Sequence, residues 1–227
     1  MGLSAVRTGR VCDEIVTQFE QLIESGEWPL GSKIPPEPEL VAALGVGRNS
    51  VREAVRALEH AGLLEPRRGD GTYVRATNGL RAAILRRARR SAALDVLAVR
   101  TSLERDAAAV AALRRTDADL VAIQDAAAGR RASRDGGDRA AFVSADLAFH
   151  LAVIAATGNS VLIDLYSGLT EALQRTVAEI DELDHDRAAF PGHDELAAAI
   201  AASDPAAARA AADSYLEAAR RLVEGSR

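Results

Sequence analysis

Apolar residues along the first third of the chain change period from one stretch to the next, and each change marks a new element. Val11, Ile15, Phe19, Leu22 and Ile23 recur every three or four residues and predict a helix over about Arg10–Glu24, ended by Ser25-Gly26. The Pro- and Gly-rich run Trp28–Pro36 cannot continue it. A short helix over Glu37–Leu44 follows, broken at Gly45, and then a helix over Arg48–Ala61, with Val51, Val55 and Leu58 inside and Gly62 as its stop. Leu63–Arg67 and Thr72–Arg75 read as two short strands around the turn Arg68-Gly69-Asp70-Gly71. Helix, short helix, glycine turn, helix and hairpin, in that order, predict a winged helix-turn-helix.

Beyond Thr77-Asn78-Gly79 the strand signal disappears. Helical periods run over about 80–90, 91–114, 117–131, 138–156, 160–182, 187–202 and 204–224, with Asp117, Asn159 and Asp204 at expected N-cap positions. The expected fold is mainly α: a winged helix-turn-helix of three helices plus a two-stranded wing over 1–76, a linker and first helix over 77–90, and an all-α helical bundle over 91–227. The frequent alanines and few aromatics suit closely packed helices.

Charge complicates the reading of the first domain. The whole chain carries a formal charge of −5. Residues 1–76 hold 9 Lys+Arg against 11 Asp+Glu. A DNA-binding role therefore needs the cations gathered on one face. Arg48, Arg52 and Arg56 supply that stripe, since a four-residue step drifts only ~40° around a helix. A guanidinium reads guanine or clamps a phosphate through two donors. Asn49 and Ser50 stand at the helix start, and Gly69 lets the wing tip approach a backbone closely. The alternative is a solvated face on which these arginines pair with Glu53 and Glu59. A single cysteine, Cys12, excludes an intrachain disulfide, and no apolar run is long enough for a membrane span, so a cytoplasmic setting without membrane contact is expected.

In the helical part, Asp146 and His150 are spaced i, i+4, with His193 further on near another helix start. Carboxylate and imidazole at that spacing make half of a divalent-metal site, although such a pair is also a common surface contact. Arg100 and Glu104 share the same spacing and read equally well as an ion pair. Arg81, Arg86, Arg87, Arg89 and Arg90 form a basic cluster after the linker, to which the sequence assigns no role.

Residues 11–75 resemble the DNA-binding domain of the GntR family of bacterial regulators. The resemblance rests on Leu30–Pro35, on Leu44-Gly45-Val46-Gly47-Arg48-Asn49-Ser50-Val51-Arg52-Glu53-Ala54, on Leu58–Leu64 and on Gly69-Asp70-Gly71-Thr72-Tyr73-Val74. It implies DNA approach by Arg48, Asn49, Ser50, Arg52 and Gly69. Gly47 and Pro38 depart from the pattern, because relatives often carry polar side chains there. Residues 91–224 resemble the FCD effector domain of the FadR-like branch, through Val99-Arg100, Leu103-Glu104, Asp146–His150, Thr157-Gly158-Asn159 and His193–Ile200. That likeness implies a metal, Zn²⁺ or similar, on Asp146, His150 and His193, with a small organic acid on or beside it. Tyr215 replaces the usual fourth ligand, a histidine. Either three ligands hold the ion, or a metal-free cavity holds an acid through Arg100 and Tyr215.

The expected function is a homodimeric transcriptional regulator. It would bind a double-stranded operator with an affinity set by a small organic acid in the helical domain. The rival is a metal-dependent helical enzyme acting on such an acid, and no nucleophile–base constellation or phosphate loop supports it.

Overall fold

The computed structural model describes residues 9–89, 91–183 and 192–225. The chain divides into two compact units, 1–86 and 87–227. The first unit contains α1 (Gly9–Glu24), α2 (Glu37–Leu44), α3 (Arg48–Ala61), β1 (Leu64–Arg67), β2 (Gly71–Val74) and α4 (Gly79–Ala88), the last crossing the boundary. Ile15, Phe19 and Ile23 of α1 meet Val51, Val55 and Leu58 of α3 in one buried cluster that also takes in Leu40, Leu63 and Val74. β1 and β2 pair antiparallel, Leu64 opposite Val74 and Arg67 opposite Gly71. The stretch before α2 adds to this wing: Lys33 bridges Tyr73, and the Ile34 amide donates to the Thr72 carbonyl at 2.9 Å. The winged helix-turn-helix read from the hydrophobic pattern is the observed one.

The turn after α3 is tied to α4. Gly62 is left-handed, φ 81°, and closes α3. The Arg86 guanidinium of α4 donates to the Ala61 carbonyl there, satisfying an oxygen the helix end leaves without a partner.

The second unit is all-helical: α5 (Ala93–Arg114), α6 (Asp117–Gly136), α7 (Arg139–Ala155), α8 (Ser160–Leu183), α9 (His193–Ala201) and α10 (Pro205–Gly225). Ala108, Ala111, Ala112, Ala208 and Ala212 are buried in its main core, so the alanine runs are contact faces. No helix of the described residues is long and apolar enough to cross a membrane.

Several boundaries differ from the sequence reading. α6 runs on to Gly136, because Gly129 is tolerated inside it and the left-handed Gly137 is the true stop. Its cap is Thr116, one residue before Asp117, in a capping box with Asp119. Asp181, near the end of α8, accepts from Arg139 at 2.6 Å. His185 and the expected helix start near 187 fall outside the described residues. α9 begins at His193, directly after Gly192.

Gly192 holds α9 against α10. It sits at φ 104°, and a Cβ there would meet the Ala211 backbone oxygen at 2.6 Å. Gly192→Ala is expected to cost roughly 2–6 kcal/mol, the sum of backbone strain and overpacking, measured by urea unfolding. A loss below about 1 kcal/mol would mean that the two helices can part without penalty.

A buried metal-type centre and an exposed recognition helix

Six helices send polar side chains to one point in the second unit. α5 gives Arg100 and Glu104, α6 gives Arg130, α7 gives Asp146 and His150, α8 gives Tyr166, α9 gives His193 and α10 gives Tyr215. All eight are buried. The i, i+4 pairs put Arg100 over Glu104 and Asp146 over His150 on inward helix faces, and Gly192 brings His193 against Tyr215, ring centroids 4.4 Å apart.

Glu104 is the hub. It accepts from Arg100 Nε at 2.7 Å, from the Tyr215 hydroxyl at 2.7 Å and from the Tyr166 hydroxyl. Its Oε2 also lies 3.3 Å from His150 Nδ1. Arg100 Nη2 lies 2.6 Å from His150 Nε2, and a guanidinium can only donate, so the His150 proton belongs on Nδ1, toward Glu104. The lone pair of Nε2 then accepts from Arg100, with Asp146 Oδ2 and His193 Nε2 3.5 and 3.3 Å from the same nitrogen. Carboxylate, imidazole and a ligand position in line form the usual support for a metal-binding histidine.

The donor atoms at that point are spaced for an ion. His150 Nε2 and His193 Nε2 are 3.3 Å apart, His150 Nε2 and Asp146 Oδ2 3.5 Å, and His193 Nε2 and Asp146 Oδ1 3.6 Å. A tetrahedral centre with bonds of about 2.0–2.1 Å has ligand–ligand edges of about 3.3–3.4 Å. The three atoms thus form one face of a tetrahedron, and the residues fit a divalent ion. Their protonation suits it as well. Burial would raise the Asp146 carboxyl, but His150, Arg130 and His193 outweigh it and hold Asp146 well below the ordinary range. Burial pushes the His193 imidazolium well down, so the ring is neutral.

Tyr215 does not complete the set. Burial, with Glu104 beside it, pushes its phenol well above the ordinary range, and its proton is given to Glu104. A neutral phenol already donating is a poor ligand. The described residues therefore offer an ion three donor atoms, with Tyr215 not a fourth.

A small cavity of about 10 Å³, room for one water, adjoins the centre. Arg100, Asp146, His193 and Tyr215 line it on one side, Phe142, Val177, Ile180 and Ala219 on the other. Arg130, Glu104 and Tyr166 escaped the sequence reading as site residues. Arg130 donates to Asp146 Oδ1 at 2.6 Å, from a stretch of α6 with no distinguishing pattern. Glu104 was legible only as a partner of Arg100.

In the first unit, α3 starts at Arg48 with Gly47 as a cap that offers no side chain. Arg48, Asn49, Arg52 and Arg56 are exposed along it, and Ser50 is half-buried. Arg52 lies 3.7 Å from Glu37 across a half-exposed pair. Gly69 is exposed at the wing tip, φ 77°. Beside it, Asp70 is occupied by the Tyr73 hydroxyl at 2.7 Å and by Lys33 at 3.2 Å, and these bonds lower its carboxyl. Arg67 stacks over the Tyr73 ring at 3.8 Å. Arg67, Arg68 and Lys33 thus join the basic side of the wing, and the pair Arg67-Arg68 before a glycine turn was the available signal. Of the basic cluster after the linker, Arg87 donates to Ser91 at 2.9 Å and Arg89 pairs with Glu171 at 2.7 Å, alongside the Arg86 bond to Ala61; Arg90 lies outside the described residues.

The two buried networks differ from the surface ones in what they hold. Glu104→Gln is expected to cost about 3–5 kcal/mol in urea unfolding, because it strands the buried Arg100 cation. Arg89→Ala removes a half-exposed pair and is expected to cost less than about 1 kcal/mol. Equal losses would contradict this assignment.

Comparison with known proteins agrees with this architecture. Residues 12–74 match the family described as bacterial regulatory proteins, gntR family, and residues 95–218 match the FCD domain. An uncharacterized HTH-type transcriptional regulator of Mycobacterium tuberculosis is 33% identical over 96% of this chain and 92% of its own. The HTH-type transcriptional regulator LutR of Bacillus subtilis is 31% identical over 90% of this chain and 97% of its own. The solved structure of Streptococcus agalactiae GntR covers 94% of this chain and 98% of its own, with a TM-score of 0.62 at 27% identity. The winged unit is a DNA-binding module and the helical unit an effector-binding one, in a regulator and not an enzyme. This chain belongs to the GntR family of bacterial regulators and carries an FCD effector domain.

Proposed function

We propose that this protein is a metal-loaded, organic-acid-responsive regulator of the FadR-like branch, acting as a homodimer on a two-half-site operator. The observation that carries the effector half is the triangle of donor atoms on Asp146, His150 and His193, with edges of 3.3–3.6 Å, beside two buried guanidinium groups. Zn²⁺ or a similar ion there would act as a Lewis acid that holds an acid's oxygen at its remaining position. Arg100, on the cavity wall, attracts the carboxylate, Glu104 orients His150, Arg130 holds Asp146, and Phe142, Val177 and Ile180 form the apolar side of the cavity.

The DNA half rests on the exposed face of α3. Arg48, Asn49 and Arg52 present donors at the start of a helix whose opposite face is buried, and Gly69 with Arg67 and Arg68 brings the wing to a phosphate backbone. Ser50 supports the same start from a half-buried position. Two copies are favoured by a stripe of exposed apolar residues along α5, Val99, Val110 and Leu113, which recur near whole turns of that helix. The effector acts through the difference in its affinity for DNA-competent and DNA-incompetent states.

Arg52→Ala is expected to weaken binding to a selected operator duplex by about 5–150-fold, the range of one bidentate base contact, read by fluorescence anisotropy at fixed salt. Unchanged affinity would remove the assignment of α3 as the reading helix. Elemental analysis of the native protein is expected to give one divalent ion per chain, and Asp146→Ala none; the absence of any ion from the native protein would remove the metal.

A further inference from the structure

The winged unit meets DNA with a total charge of the wrong sign, since residues 1–76 hold 9 Lys+Arg against 11 Asp+Glu. A groove of about 480 Å³ separates α3 from the wing. Lys33, Arg52 and Arg56 line it, and so do Glu37, Glu59 and Asp70. Two of these carboxylates have taken a cation. Arg52 Nε lies 3.7 Å from Glu37 Oε1, and Lys33 Nζ donates to Asp70 Oδ1 at 3.2 Å. Asp70 is held in place by a second donor, the Tyr73 hydroxyl at 2.7 Å. The Lys33 stem reaches it by lying across Gly71, where a Cβ would collide with Lys33 Cε.

These pairs act on the two parts of DNA binding in opposite ways. Generic affinity is a sum over phosphates, each neutralised by a cation that releases counterions from the duplex. A cation whose own carboxylate stays beside it adds little to that sum. Reading a base needs direction instead, because a guanidinium must present two donors in the plane of the base edge. Glu37 meets Arg52 at Nε, on the stem side of the fork. Among the described residues Arg52 makes no hydrogen bond that would occupy its Nη groups. A carboxylate so placed steadies the fork and leaves its outer edge to a base.

From this we infer that Glu37 and Asp70 are specificity-determining residues: they cancel the charge of Arg52 and Lys33 toward ordinary DNA while holding both side chains for the operator. The quantity they set is the ratio of operator to non-specific affinity, which decides whether a regulator finds its site among many competing ones. Arg48 and Arg68, exposed and without a carboxylate partner among the described residues, remain to meet phosphates. The inference rests on α3 as the reading helix and goes beyond it, since that reading needs neither carboxylate.

Anisotropy titrations of the full chain test this by comparing a selected operator duplex with a scrambled duplex of the same length and composition. Glu37→Gln and Asp70→Asn are each expected to raise affinity for the scrambled duplex by about 2–5-fold, the size of a half-exposed charge pair. Operator affinity is expected to stay level or fall. Asp70→Asn keeps an acceptor for Tyr73, so the wing retains that bond. For each variant the log–log salt slope of scrambled-duplex binding is expected to steepen by about 0.9, one freed cation on one phosphate. Adding Lys33→Gln to Asp70→Asn is expected to return that affinity to the wild-type value. Glu59→Gln makes the same change of charge in the same groove, at a carboxylate without a cation partner among the described residues. It is expected to shift both duplexes alike. Far-UV circular dichroism checks the fold of each variant. An unchanged ratio in the variant carrying both Glu37→Gln and Asp70→Asn overturns the inference, and so does an equal fall of the ratio in Glu59→Gln. If Arg52→Ala still weakens operator binding in either case, α3 stands as the reading helix. Operator affinity that ignores Arg52→Ala overturns both.

Discussion

The Glu104 carboxylate is buried where α5, α7, α8 and α10 meet, and an ionised carboxylate can stay in such a place only if every lone pair is met. Arg100, Tyr166, Tyr215 and His150 meet them. Burial alone would raise its pKa, but Arg100, His150 and the two hydroxyls outweigh that and hold it ionised. From this one group the rest of the centre follows. It fixes the Arg100 side chain and the His150 tautomer, and it accepts the hydrogen bond of the Tyr215 hydroxyl.

That constraint explains why Tyr215 stands beside the donor triangle without joining it. A fourth imidazole would close the tetrahedron and make the site structural, with no position left for a ligand. Tyr215 fills the volume and donates its hydroxyl to Glu104, so it offers the donor triangle no fourth ligand. Tyr215 packs α10 against His193 of α9 and supports Glu104.

The fold was largely legible because its signals are local. The i, i+3, i+4 period of α1, the glycine at the end of α3 and the turn Arg68–Gly71 each act within a few residues. The limits of α6 and α9 were less so, because Gly129 and Gly137 look alike in sequence and only the backbone shows which one is left-handed. Within the site, Asp146, His150 and Arg100 announced themselves through helical spacing. Arg130 did not. Its partner lies on another helix, sixteen residues away, and an arginine among Gly129, Arg131 and Arg134 is one cation among several until burial separates it. Arg131 pairs with Asp194, half exposed, while Arg130 is buried against Asp146. Neighbours in sequence thus have opposite roles, and only the packing of α6 on α7 distinguishes them.

The two units solve opposite electrostatic problems. The winged unit is slightly acidic in total, yet it exposes Arg48, Arg52, Arg67 and Arg68 while Asp70 is tied to Lys33 and Tyr73. Its cations stay in water, where charge costs little and a polyanion can reach them. The helical unit buries its cations instead, and each must be answered inside the protein. Its two cations are answered by two carboxylates, Glu104 and Asp146, each within 2.7 Å of its guanidinium partner.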